Sequence, residues 1–178
     1  METLILERTN EIRKNKRELE KKLNVIMTIE GKRIIIDGNP IAEFTAEQVL
    51  NAINFGFSLK KALFLLDTDM QFKILDIKSF TRRKNLKEIR ARLIGTEGKT
   101  KKTIEEIVDC DLVINEKDNE VGIIGLADSI DEASTAIKNL IRGSKQANVY
   151  AFLERMNAER KKMPEDLGLK IKKNKEYS

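Results

Sequence analysis

Histidine occurs nowhere in the 178 residues. Its absence removes imidazole acid–base catalysis, Ser-His-Asp and Cys-His nucleophile systems, and every zinc site that needs imidazole. Cysteine occurs once, at Cys110, so neither an intrachain disulfide framework nor a thiolate metal cluster is available, and a lone thiol fits a reducing compartment. Tryptophan is missing and aromatic residues make up 5% of the chain, which argues against binding by base-stacking platforms. No uninterrupted apolar run approaches the roughly 20 residues needed to cross a bilayer. Met1 leads into Glu2 and a short apolar run, not into a signal peptide. These absences predict a cytoplasmic protein with no membrane contact, no metal and no cofactor.

What is present is a balanced, charge-rich composition. Apolar residues are 40% and charged residues 35%, with 34 Lys+Arg against 29 Asp+Glu and a net charge of +5. The length allows one large or two small domains with a real core. The positive excess permits a polyanionic partner, but placement of the charge must decide the matter.

Two stretches run through the same order of patterns. Residues 10–23 read as a charged helix with Leu19 and Leu23 one turn apart, followed by a strand from Val25 to Ile29, a turn at Gly31 and a strand from Arg33 to Asp37. A Gly38-Asn39-Pro40 turn then leads to a helix from about Phe44 to Phe55, striped by Ala46, Val49, Leu50 and Ile53. In the second stretch Thr100 to Val108 reads as helix, Leu112 to Ile114 as strand, 115–120 as a polar loop, Val121 to Ile124 as strand and Asp131 to Ile141 as helix. Leu19 and Ile104, Leu23 and Val108, Met27 and Leu112, and Ile29 and Ile114 are each 85 apart. Beyond the loop, Gly38 and Gly125, Leu50 and Ile137, Ile53 and Leu140, and Gly56 and Gly143 are each 87 apart. Glycines in register on both flanks of a helix favour duplication.

With opening strands at Glu2–Leu6 and Gln71–Lys78, each unit reads as strand, helix, helix, strand, strand, helix. The predicted fold class is α+β: two tandem units, each a three-stranded antiparallel sheet covered by helices. The expected organisation is a first unit over 1–57, a helical connection over 58–70, a second unit over 71–145, a C-terminal helix over 146–164 that stops before Pro164, and a basic, disordered tail over 165–178.

The informative segment runs from Ile89 to Ile104. Gly95 and Gly98 interrupt a helical hairpin, and a sugar-phosphate backbone can press against main chain where Cβ is missing. A helix begins just after, so its free N–H groups and positive dipole end face whatever lies at the turn. Arg90 and Arg92 precede the turn and Lys99, Lys101 and Lys102 follow, which places five cations around it. A second Gly-x-x-Gly, Gly122 to Gly125, has an apolar middle and reads as strand.

The run LIGTEGKTKKTIEEI resembles the core of KH domains, in which a Gly-x-x-Gly loop between two helices clamps about four nucleotides of single-stranded nucleic acid. The element order looks like the type I KH fold. With FGFSLKKALFLL, RARLIGTEGKT and NVYAFLER, the likeness extends over nearly the whole chain. It is close to the archaeal two-KH-domain RNA-binding proteins, counterparts of the eukaryotic pre-ribosomal RNA-processing factor called partner of Nob. The resemblance implies binding of single-stranded RNA, namely small-subunit ribosomal RNA, alongside a processing endonuclease or a translation initiation factor. It further implies that Gly95, Thr96, Glu97, Gly98 and Thr100 lie on the RNA backbone and that Lys99, Lys101 and Lys102 neutralise phosphates. Ile94, Ile104, Leu112 and Ile114 would then form an apolar floor for bases.

Two departures stand out. By the 85-residue offset the loop position of the first unit falls on Asn10-Glu11-Ile12-Arg13, without glycine, so this degenerate unit is expected to have lost backbone clamping. Between the glycines stand Thr96 and Glu97 where the family commonly has a basic residue, and Glu97 is read as pointing away from phosphates or capping a helix. Exchange of Gly95 and Gly98 for Asp is expected to remove binding without loss of stability.

Asp109, Asp111, Asp67, Asp69 and Asp76 read as surface groups or caps, and Gly98-Lys99-Thr100 lacks the glycine spacing of a phosphate-binding Walker loop. No enzyme is expected. The rival reading is a protein-interaction adaptor in ribosome assembly or translation initiation. Phe55, Phe57 and Phe64 are expected to be buried between the units, and Cys110 to be a small core residue.

Overall fold

The computed structural model describes residues 1–162; the predicted tail lies outside them. The first unit comprises β1 (Glu2–Ile5), α1 (Thr9–Lys14), α2 (Lys16–Leu23), β2 (Ile26–Glu30), β3 (Arg33–Asp37) and α3 (Pro40–Phe55). A short helix α4 (Leu59–Ala62) and a 3-10 turn (Leu63–Leu66) lead to the second unit. That unit comprises β4 (Met70–Asp76), a 3-10 turn (Ile77–Phe80), α5 (Leu86–Ile94), a 3-10 turn (Thr96–Gly98), α6 (Lys99–Val108), β5 (Asp111–Asn115), β6 (Glu120–Leu126) and α7 (Ala127–Arg142). The last helix, α8, spans Gln146–Lys162. Each unit holds a three-stranded antiparallel sheet, ordered β1-β3-β2 and β4-β6-β5.

The duplication extends to side-chain chemistry. Glu20 Oε1 accepts the Met27 N–H at 2.8 Å, and Glu105 Oε1 accepts the Leu112 N–H at 2.8 Å. Each glutamate also pairs with the lysine four residues earlier, Lys16 at 3.6 Å and Lys101 at 3.2 Å. Asn24 and Asp109 end α2 and α6 in the left-handed region, φ 54° and 61°. A Cβ at Gly38 would meet Val25 at 3.0 Å, and one at Gly125 would meet Cys110 at 3.2 Å. The same glutamate thus ties helix to edge strand in both units, with a small residue packed beneath a glycine.

Several boundaries move for local reasons. The charged helix over 10–23 is broken at Asn15 (φ −107°, ψ 14°) into α1 and α2. Helix α3 begins four residues early, because Asn39 Oδ1 caps the Ala42 N–H at 2.9 Å and Pro40 occupies the first turn. The polar loop shrinks to 116–119, since Asn115 and Glu120 pair across the hairpin.

Two cores result. The inner face of the first sheet, with Met27, Ile34 and Ile36, packs on Leu19, Leu23, Val49, Leu50 and Ile53. In the second, Leu75, Leu112, Val121 and Ile123 meet Ile89, Leu93, Ile104, Ile137 and Leu140. Helix α8 adds Val149 and Leu153 to that core.

Candidate nucleic-acid interface

The loop between α5 and α6 is formed by two glycines in unlike situations. Gly95 has φ 76° and ψ 171°, and a Cβ there would lie 2.2 Å from Thr100 Oγ1 and 2.6 Å from Thr100 N. Its missing side chain is therefore filled from within. Gly98 is left-handed (φ 75°, ψ 11°) and closes the turn through its N–H to Gly95 O at 3.1 Å, yet a Cβ there would meet nothing within 4 Å. The bare main chain at Gly98 faces open space at the first turn of α6, where no side chain caps the free N–H groups. Glu97 between them is also left-handed (φ 53°) and exposed. It does not cap α6, contrary to one of its two expected roles.

The five cations divide. Lys99, Lys101 and Lys102 sit on the first turn of α6, Lys101 paired with Glu105 and Lys102 with Glu106 at 3.9 Å. Lys99 has no ion pair among the described residues. Arg90 and Arg92 are committed elsewhere: Arg90 donates to Asn119 Oδ1 in the β5–β6 turn, and Arg92 Nη2 donates to Ser144 O at 2.7 Å. The ring of five thus becomes three lysines, with two arginines holding flanking segments.

The expected floor is corrected in part. Ile104 and Leu112 are 1% and 2% exposed and belong to the core of the second unit. Only Ile94 and Ile114 keep partial exposure. Thr100 is 2% exposed, and its Oγ1 accepts a hydrogen bond from Gln146 Nε2 at 2.7 Å. It locks α8 to the start of α6 and does not face a ligand. Asn119, Ser144 and Gln146 were absent from the expected site. A hydrogen bond over 46 residues, as between Gln146 and Thr100, leaves no local pattern.

In the first unit the loop counterpart also moves. Asn10 to Arg13 lie inside α1, with Ile12 fully buried, and the helices meet through Asn15 alone. The length change lies between the helices, upstream of the stretch where the 85-residue register holds. Arg13, Lys14, Asn15, Lys16, Arg17 and Glu18 line a shallow concavity there, but without a glycine loop.

A family model described as a eukaryotic type KH-domain (KH-domain type I) matches residues 71–158, the segment that contains the loop. Residues 71–158 are a KH domain of type I. A KH domain-containing protein of Methanocaldococcus jannaschii is 30% identical over 147 residues, covering 79% of this chain and 64% of that protein. The pre-rRNA-processing protein pno1 of Emericella nidulans is 29% identical over 119 residues, 65% of this chain and 45% of its own length. This chain thus spans roughly half to two thirds of those curated relatives. Among solved structures, the complex of a/eIF2alpha, aDim2p and rRNA from Pyrococcus horikoshii contains a chain that superposes with a TM-score of 0.79 at 28% identity, covering 89% of this chain and 94% of that one. The KH domain here includes α8, which the family match enters as far as residue 158.

Proposed function

We propose that the KH domain binds single-stranded RNA across the Gly95–Gly98 loop, and that the RNA is small-subunit ribosomal RNA during processing or assembly. The observation that carries this reading is Gly98: left-handed main chain with open space where its side chain would be, beside three lysines at an uncapped helix start. Main-chain N–H groups and ammonium groups suit a phosphodiester, and the absent Cβ admits it closely. The ribosomal assignment draws on the pre-rRNA-processing relative and on the Pyrococcus neighbour crystallised with rRNA. In this reading the chain recognises RNA and leaves its cleavage to other proteins.

Gly98→Asp tests the proposal, with Gly31→Asp as its matched control. Gly31 is also left-handed (φ 61°) with nothing within 4 Å of its would-be Cβ, but lies in the first unit's hairpin. Both variants should lose about 1 kcal/mol of stability from the backbone conformation. Only Gly98→Asp should abolish RNA binding in fluorescence anisotropy; equal binding by the two would move the site off the loop.

A second reading, an adaptor contacting a translation initiation factor, draws on the outer face of the first sheet. Ile5 and Ile26 are 79% and 68% exposed there, and the Pyrococcus neighbour was crystallised with a/eIF2alpha. Under it, exchanging both for Glu should weaken that protein contact and spare RNA binding, as read by pull-down and anisotropy.

A further inference from the structure

A second cationic feature of the KH domain lies outside the loop. Gly143 ends α7 with φ 110°, and a Cβ there would lie 3.3 Å from Arg83 Nη2 and 3.9 Å from Arg92 Nη1. Two guanidinium groups from separate segments therefore converge on one bare stretch of main chain. Arg92 is fixed by its bond to Ser144 O. The surrounding charge is one-sided: segments 82–92 and 142–146 together contain eight cations (Arg82, Arg83, Lys84, Lys87, Arg90, Arg92, Arg142, Lys145) and one acid, Glu88. That net +7 exceeds the +5 of the whole chain. Among the described residues no carboxylate lies within ion-pair distance of Arg82, Arg83, Lys84, Lys87, Arg142 or Lys145, although 29 acids were available to the fold.

The feature is also joined to the loop. Three residues after Gly143, Gln146 donates to Thr100, the residue that fills the space beside Gly95. Three residues of chain span at most about 11 Å, so the arginine pair lies close to the start of α6 and to the loop. Helix C-terminal carbonyls attract arginine on their own account, but capping one helix end does not require a concentration of unpaired charge over two segments.

We propose that the Arg83–Arg92 pair at Gly143 binds a phosphodiester of the same RNA strand, adjacent to and outside the nucleotides held at the loop. This rests on the RNA-binding reading above, and the test separates the two. Ten-nucleotide single-stranded RNA is titrated by anisotropy at several salt concentrations with wild type, Gly98→Asp, Arg83→Ala and Arg83→Lys, each checked by thermal unfolding. Arg83→Ala should bind with a salt slope smaller by about 0.7, the loss of one phosphate contact on a single strand. Between about 50 and 200 mM salt its affinity should then fall about 2.6-fold less than that of wild type. Arg83→Lys keeps the charge and should keep the wild-type slope. An unchanged slope in Arg83→Ala overturns the proposal, and so does Arg83→Lys reducing the slope as far as Arg83→Ala, which would mark the arginine as a helix cap. Undiminished binding by Gly98→Asp overturns the loop reading instead.

Discussion

Gly95 and Gly98 look equivalent in the sequence and are not equivalent in space. Gly95 is occupied by Thr100 from inside, whereas Gly98 is open. Against the expectation that both tolerate Asp without loss of stability, Gly98 carries the cost of its left-handed backbone alone, whereas at Gly95 a side chain also has no room. Gly95→Ala should cost about 1–3 kcal/mol through overpacking, lowering the thermal midpoint by about 2–4 °C for each kcal/mol in a chain of this size. Calorimetry checks this, and an unchanged midpoint would mean that Thr100 does not approach so closely. A glycine spacing signals the need for bare main chain but not which side of it is filled. The same limit applies to Ile104 and Leu112: their spacing fits a groove floor as well as a core, and packing against α5 and α7 decided for the core. Cys110 agrees with its expected role, buried with its thiol pushed up to about 12 by desolvation and nearby carboxylates.

At the scale of elements, the helical stripes and the alternating strands were legible because their periods are set by local geometry. The break at Asn15 was not, because Leu19 and Leu23 fit a helix that starts anywhere upstream. The attachment of α8 was equally hidden. Arg160 reaches from α8 to Glu132 on α7 at 3.2 Å and donates to Ser129 Oγ at 3.2 Å, and Ser129 in turn donates to Val108 O at 2.8 Å. Burial raises the Glu132 carboxyl above its ordinary value, opposed by the Arg160 charge. Arg160→Ala removes that opposition and leaves a buried carboxylate without its cation, at a cost of about 2 kcal/mol near neutral pH. A carboxyl raised in the folded state binds more protons there than in the unfolded chain, so the variant's stability should recover as pH falls and Glu132 becomes neutral. Denaturant melts at neutral and mildly acidic pH check the sign; a deficit that does not change with pH would remove Glu132 from the account.

At the scale of the molecule, the two units are joined by the outer face of the second sheet. Phe55, Phe57 and Phe72 pack together with ring centroids 5.7–6.2 Å apart, and Ile124 of β6 belongs to the core of the first unit. Phe55 and Phe57 are buried and Phe64 is partly so. Gly122 lets the aromatic pair approach, since a Cβ there would lie 2.6 Å from Phe55 and 2.9 Å from Phe57. The second Gly-x-x-Gly is thus strand, as its apolar middle indicated, and its first glycine is a notch for the other unit. Gly122→Ala should destabilise the protein by about 1–3 kcal/mol while leaving the Gly98 loop untouched. Thermal unfolding and RNA titration on one preparation check the two halves of that statement, and full stability would mean that the rings move aside easily.

By itself the sequence determined the repeat, the order of elements and the position of the glycine loop, because hydrophobic period, capping residues and bare main chain are encoded within a few neighbouring residues. Only the tertiary structure decided which glycine is open, which cations are free and which apolar side chains are sealed. Those properties depend on what packs against each residue from distant segments, and a local pattern does not hold that information.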